Sequence, residues 1–249
     1  MNEEFDFGKD KFTKSPLVIH IAKEISSYYL RVKEPNLNNQ QIIKSKSEIY
    51  LHELNDELSE ILNNLDDLEL IRNYLIDLSP PTHDYYDEKH VAKHIRYHIE
   101  NYIIRVYKFK DQLLSLIKTI LQLQITHPMR LKKEVLSYIK DNNLLIGNYL
   151  HLIDQLFDPI KPHRNSLAHT RRLKYSDLSM LEITYDYKLA DDENHQMFIE
   201  MQRSIVSRII NDLDIYLKNV DTLLKVTCVT LQPSFINKYK ELGAASSEN

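Results

Sequence analysis

The chain has 249 residues, with three glycines, eight prolines, one cysteine and a formal net charge of −4. So few glycines argue against turn-rich β architecture, and they exclude both a Walker loop and a GxGxxG fingerprint, which need several glycines close together. The negative balance argues against a general polyanion binder, so any nucleic-acid contact must be local. The single thiol, Cys228, permits no internal disulfide and suits a reducing compartment.

In chain order, residues 1–14 read as a flexible polar arm with Phe5, Phe7 and Phe12 as docking points. Ser15-Pro16 reads as the cap and first position of a helix to about Val32, with Leu17, Ile21, Ile25 and Tyr28 at three- and four-residue steps. A long helical pattern follows from about Asn38 to Leu78, with Leu54, Leu58, Ile61, Leu65 and Leu68 on one face and acids opposite. Pro80-Pro81 ends it. The longest pattern runs from about Tyr86 to Leu123, its stripe formed by Val91, Ile95, Ile99, Tyr102, Val106, Phe109 and Leu113.

His90, His94 and His98 edge that stripe at four-residue spacing. The outer two lie about 12 Å apart along a helix, too far for one metal centre, and no HExxH arrangement is present. Half-exposed structural histidines are the expectation, with no metal and no cofactor. Glu100, Arg105 and Asp111 lie on the same helix, and surface or interhelical ion pairing accounts for them in the ordinary way.

Two shorter helices are expected over 129–140 and 143–157, and Asp158-Pro159 then turns into a basic stretch. Beyond it, Ile183, Tyr185, Tyr187 and Leu189 alternate with polar residues, the period of a short strand or hairpin. A last long helix is expected from about Gln196 to Lys225, a final turn or two over 234–241, and a disordered tail over 243–249. The Met1-Asn2-Glu3-Glu4 start lacks a leader pattern, and no long uncharged apolar run occurs. A soluble, cytoplasmic protein without a membrane partner is expected.

The basic stretch is Lys161-Pro162-His163-Arg164-Asn165-Ser166-Leu167-Ala168-His169-Thr170-Arg171-Arg172, with no carboxylate between Asp158 and Asp177. Pro162 suits a first helical turn, whose unpaired N–H groups favour a nearby phosphate. On a helix Asn165 and His169 share a face, and Arg164 sits about 140° from His169. Arginine offers forked donors to phosphate oxygens, and histidine moves a proton near neutral pH. From residue types alone, a solvated basic helix end is the better account of the stretch. Ser166 lacks a nucleophile-elbow context, which removes a serine-hydrolase reading.

A mostly helical chain with Arg164-Asn165 and, after three residues, His169 resembles the HEPN superfamily, whose mark is Arg-x(4–6)-His, often with Asn directly after the Arg. The preceding helix, with Glu100-Asn101-Tyr102, Arg105 and Asp111, is similar to uncharacterised bacterial branches of that superfamily. The resemblance implies an all-α, HEPN-like antiparallel helical bundle over 85–240, with an additional N-terminal helical region over 15–80 packed on it. It implies catalytic roles for Arg164, Asn165 and His169, with Glu100 or Asp111 orienting Arg164 and Arg105 in support. Lys161, His163, Arg171 and Arg172 would grip RNA phosphates.

Metal-free RNA cleavage needs a base, charge stabilisation at phosphorus and an acid, and one copy of the motif lacks the acid. The resemblance therefore implies a homodimer with a composite site, acting on RNA as a toxin or phage-defence effector, with an antitoxin or regulatory partner protein as a further expectation. A non-catalytic RNA- or nucleotide-binding or protein-interaction module stays open beside it. In HEPN toxins silenced by a partner nucleotidyltransferase, a Tyr stands two residues after the motif His. Arg171 stands there in this chain, so the resemblance lends no support to silencing of that kind.

Overall fold

Apolar residues spaced at three and four positions bury only as helix faces, and the computed structural model has that architecture. It describes residues 11–32, 45–78, 88–142, 144–158, 160–170, 176–186 and 192–247. Among them are eight α-helices and no strand: α1 (Pro16–Val32), α2 (Lys46–Asp77), α3 (Glu88–Leu121), α4 (Leu131–Asp141), α5 (Gly147–Phe157), α6 (Lys161–Thr170), α7 (Ser176–Asp186) and α8 (Asp192–Ser247). Among the described residues no helix is long and apolar enough to cross a membrane.

The ends of these helices have local causes. The pattern expected from about Asn38 starts as α2 at Lys46, because Ser45 and Glu48 form a capping box. The Glu48 N–H donates to Ser45 Oγ (3.2 Å), and the Ser45 N–H donates to Glu48 Oε2 (2.8 Å). α3 stops at Leu121, before His127-Pro128, because Gln122 turns left-handed (φ 51°). Its N–H reaches Thr119 O, and the Leu123 N–H reaches Lys118 O, so the last carbonyls are satisfied in a Schellman closure. At the start of α5, a Cβ on Gly147 would lie 3.2 Å from Ile139 Cγ2, so glycine lets the turn sit close on α4.

Three expectations are corrected. The strand period over 183–189 loses to a helix, since α7 runs to Asp186. Leu178 and Leu181, fully buried at a three-residue step, hold α7 down, and Asp177 suits its first turn. Tyr187 to Leu189 lie outside the described residues. The last helix does not stop near Lys225 but runs on past Gly243, and residues 248–249 lie outside the described residues. α8 continues through Pro233 to Ser247, with Leu231 and Phe235 fully buried on either side of the proline. The helical bond that Pro233 removes belongs to the carbonyl of Val229, an exposed position where water can replace it. The arm expected to be flexible over 1–14 is docked from Lys11 onward. Phe12 is buried, and its N–H donates to Asp221 Oδ1 (2.8 Å). Residues 1–10 lie outside the described residues.

The chain forms two compact units. The first comprises residues 1–62, 110–151 and 219–249. Within it, α2 and α3 run antiparallel: Tyr50 Oη donates to Ile120 O (2.9 Å), Ser115 Oγ to Glu57 Oε1 (2.6 Å) and Gln112 Nε2 to Glu60 O (3.0 Å). Leu54, Ile61, Leu116, Ile117 and Leu223 are fully buried there, each contributing about 1.5–3 kcal/mol by leaving water. Burial pushes the Cys228 thiol up to about 11.

The second unit comprises residues 63–109 and 152–218. Here too α2 and α3 are antiparallel, since Asn64 Nδ2 donates to Arg105 O (3.0 Å) while Tyr74 stacks on His98 (5.1 Å between centroids). α8 is antiparallel to α2 through Arg72 with Asp214 and Gln202 Nε2 to Leu78 O (2.9 Å). α7 is tied to α8 by Arg208 and Asp177 (2.9 Å) and to α3 by a two-pronged Arg96–Glu182 pair (2.5 and 2.8 Å). The antiparallel bundle expected from the sequence is the fold of the protein. This second unit contains all of α6.

Candidate functional site

α6 begins where α5 ends. The Ile160 N–H donates to Phe157 O (3.0 Å), and the Arg164 N–H donates to Ile160 O (3.0 Å), which starts the helix across the Asp158-Pro159 turn. Lys161, Pro162, Asn165 and Ala168 are exposed, while His163, Arg164, Ser166 and Leu167 are half-buried. Leu167 therefore anchors α6 only in part. His169 lies in α6, one turn beyond Asn165; its side chain, and all of Arg171 and Arg172, lie outside the described residues.

The Arg164 side chain has a defined position. Its Cζ lies over the Tyr107 ring, 4.3 Å from the centroid, and its Nη1 donates to Asn165 Oδ1 at 3.3 Å. The hydrogen bond is long and contributes little. The ring face attracts the cation by its quadrupole, worth about 0.5–1 kcal/mol at an exposed site and more where water is excluded. Tyr107 is therefore the stronger of the two holds. That ring stands edge-on to Phe157 (6.0 Å), Phe157 to Tyr216 (6.4 Å), and Tyr216 to Phe109 (6.3 Å). Phe157, Tyr216 and Phe109 are all buried. Burial raises the Tyr216 phenol well above its ordinary range, so it stays protonated and donates to Val106 O (3.4 Å).

Two of the residues expected to support Arg164 have charged neighbours of their own. Glu100 Oε1 is 3.8 Å from Arg96 Nη1, at the flank of the Arg96–Glu182 pair, and Arg105 pairs with Asp67. Asp111 is exposed and belongs to the first compact unit. Sequence reasoning missed Tyr107, Phe157 and Tyr216 as parts of this site. Each reads there as one more apolar position, and nothing in the spacing pairs position 107 with position 164.

Of the histidines along α3, His94 and His98 lie among other rings, and the His90 side chain lies outside the described residues. His98 is buried, stacked on Tyr74, edge-on to Tyr97 (5.4 Å) and 6.5 Å from the exposed His94 ring. Among the described residues no group of three or more His, Cys, Asp or Glu could hold a metal ion. Burial, and secondarily His94, lowers the His98 pKa below the ordinary 6.5. The folded state thus binds fewer protons here than the unfolded chain. Its contribution is complete above the unfolded value and is lost as pH falls from there toward the lowered folded value. His98→Gln is therefore expected to lose less stability than the wild type between about pH 7 and pH 5, measured as urea midpoints. Identical pH slopes would clear His98 of this role.

A family model described as Cthe2314-like HEPN matches residues 71–237, about two thirds of the chain. The match takes in α3 to α7, and with them Arg164, Asn165, His169 and Tyr107. No curated protein and no solved structure matches the chain.

Proposed function

Starting from the fact that the chain belongs to the Cthe2314-like HEPN family, we propose that it is a metal-independent endoribonuclease of the HEPN type. The observation that carries this reading is the Arg164 guanidinium, held in place beside Asn165 on the helix that also contains His169. In the proposed reaction, His169 takes the proton of an RNA 2′-hydroxyl. The 2′-oxygen attacks the adjacent phosphorus, and the bond from phosphorus to the 5′-oxygen breaks. Arg164 stabilises the charge gathering on the non-bridging oxygens. Asn165 orients the imidazole or donates to the phosphate.

The departing 5′-oxygen needs a proton, which the His169 of a second, two-fold-related copy supplies. The products are a 2′,3′-cyclic phosphate and a 5′-hydroxyl, and DNA is left uncut because it has no 2′-hydroxyl. Lys161, His163, Arg171 and Arg172 hold backbone phosphates without reading sequence. Glu100 and Arg105 support the site through the packing of α3. Release of such an activity on cellular RNA is the work of a toxin or phage-defence effector, and it calls for an antitoxin or regulatory partner.

The purified full chain, incubated with single-stranded RNA and EDTA across pH 6–8, is expected to yield cyclic-phosphate and 5′-hydroxyl ends. RNA that stays intact, or products with 3′-hydroxyl ends, would overturn the proposal. One observation favours a second reading. The half-buried Arg164 on Tyr107 also fastens α6 to α3, as a non-catalytic binding module would require. In that case RNA is bound but uncut, and His169→Ala changes nothing.

A further inference from the structure

We propose that Tyr107 is the positioning residue of this site, presenting the Arg164 guanidinium to phosphate with its charge intact. The inference rests on the ribonuclease reading above and names the residue through which Arg164 is set. A carboxylate in the same place would orient the guanidinium but cancel its charge and occupy its donors. A ring face attracts the cation and adds no formal charge, so Arg164 keeps its net charge for the scissile phosphate.

The arrangement is also indexed to a single buried residue. Phe157 accepts the Ile160 N–H through its carbonyl, and Ile160 accepts the Arg164 N–H. The Phe157 ring meets the edge of Tyr107, and the Tyr107 face meets Arg164 Cζ at 4.3 Å. The backbone of Arg164 and the head of its side chain are thereby both referenced to Phe157, itself packed on Tyr216. A four-membered chain of contacts closes on itself, so neither end of the arginine drifts independently of the other. Orientation of that kind acts on the chemical step, where misplacement of a charged group is felt more than in the binding of a long polyanion.

The test compares Tyr107→Phe, which keeps the ring, with Tyr107→Leu, which keeps apolar bulk and removes the ring face. Single-stranded RNA cleavage by the full chain is expected to keep its kcat within about twofold in the Phe variant. In the Leu variant kcat falls about tenfold while KM moves less than about twofold. A merely structural role would lower apparent kcat only in step with the folded fraction seen in thermal unfolding and leave kcat per folded molecule, and its pH profile, unchanged. A Leu variant as active as the wild type, or a Phe variant as impaired as Leu, would overturn the assignment.

Should the wild type cleave nothing, the ribonuclease reading fails, and the positioning claim is decided by NMR. The Arg164 Nε–Hε resonance, assigned by its disappearance in Arg164→Lys, is expected to show a ring-current upfield shift in the wild type and the Phe variant, and none in the Leu variant. An unshifted resonance in the wild type would end the proposal.

Discussion

Alanine at His169 is expected to lower RNA cleavage about a thousandfold, and alanine at Arg164 about a hundredfold or more, without unfolding the protein. His169 carries the larger effect because, in a two-fold dimer, one substitution removes both the base and the acid. Arg164→Ala removes charge stabilisation at phosphorus and leaves proton transfer in place. The stability cost at Arg164 is about 0.5–1 kcal/mol, the cation–π contact with Tyr107, and too small to account for lost activity. The double variant should be no worse than His169→Ala alone, since groups that act on one step are not additive. Initial rates at saturating RNA, with urea midpoints for each variant, make the comparison. A His169→Ala protein that cleaves at the wild-type rate would exclude the imidazole from the reaction.

Phe157→Ala is expected to be the most damaging single change to the second unit, costing about 3–5 kcal/mol in urea unfolding. Phe157 is buried and lies between Tyr107 and Tyr216, so truncation opens a cavity and removes two edge-to-face pairs at once. Against a total stability of about 5–15 kcal/mol, that is a large share. Phe157→Leu restores much of the volume but neither ring pair, and should recover most of the stability. The cleavage rate of its folded fraction should still fall, because the ring that sets Tyr107 is gone. An alanine variant that loses less than about 1 kcal/mol would show that the side chain is not a packed core element.

The all-α class and the run of helices were legible because they depend on short-range periodicity. Leu17, Ile21, Ile25 and Tyr28 in α1, and Val91, Ile95, Ile99 and Val106 in α3, recur at helical steps and are all buried. Even a missed boundary was written locally: Ser45 and Glu48 form a capping box that the sequence carries in plain view. The end of α3 was not, since nothing about Gln122 announces a left-handed closure that glycine normally supplies.

Other outcomes were decided over longer distances. The alternation after Ile183 has the period of a strand, but Leu178 and Leu181 are buried, and Glu182 is pinned by Arg96 on α3. Packing overrides local preference there. Residues 234–241 read as a separate final turn, yet buried Leu231 and Phe235 carry α8 through Pro233 into them. Arg164, Asn165 and His169 were picked out by their resemblance to the superfamily's mark, and they lie together on one helix.

Sequence by itself thus determined most of the helices, including the ten-residue helix that bears the motif, all consequences of contacts within a turn or two of chain. Only the tertiary structure decided what holds the arginine. Tyr107 meets it from α3, with Phe157 of α5 packed on Tyr107 and Tyr216 of α8 packed on Phe157. Contacts between distant positions leave no periodic trace, because each partner looks like an ordinary apolar residue on its own helix.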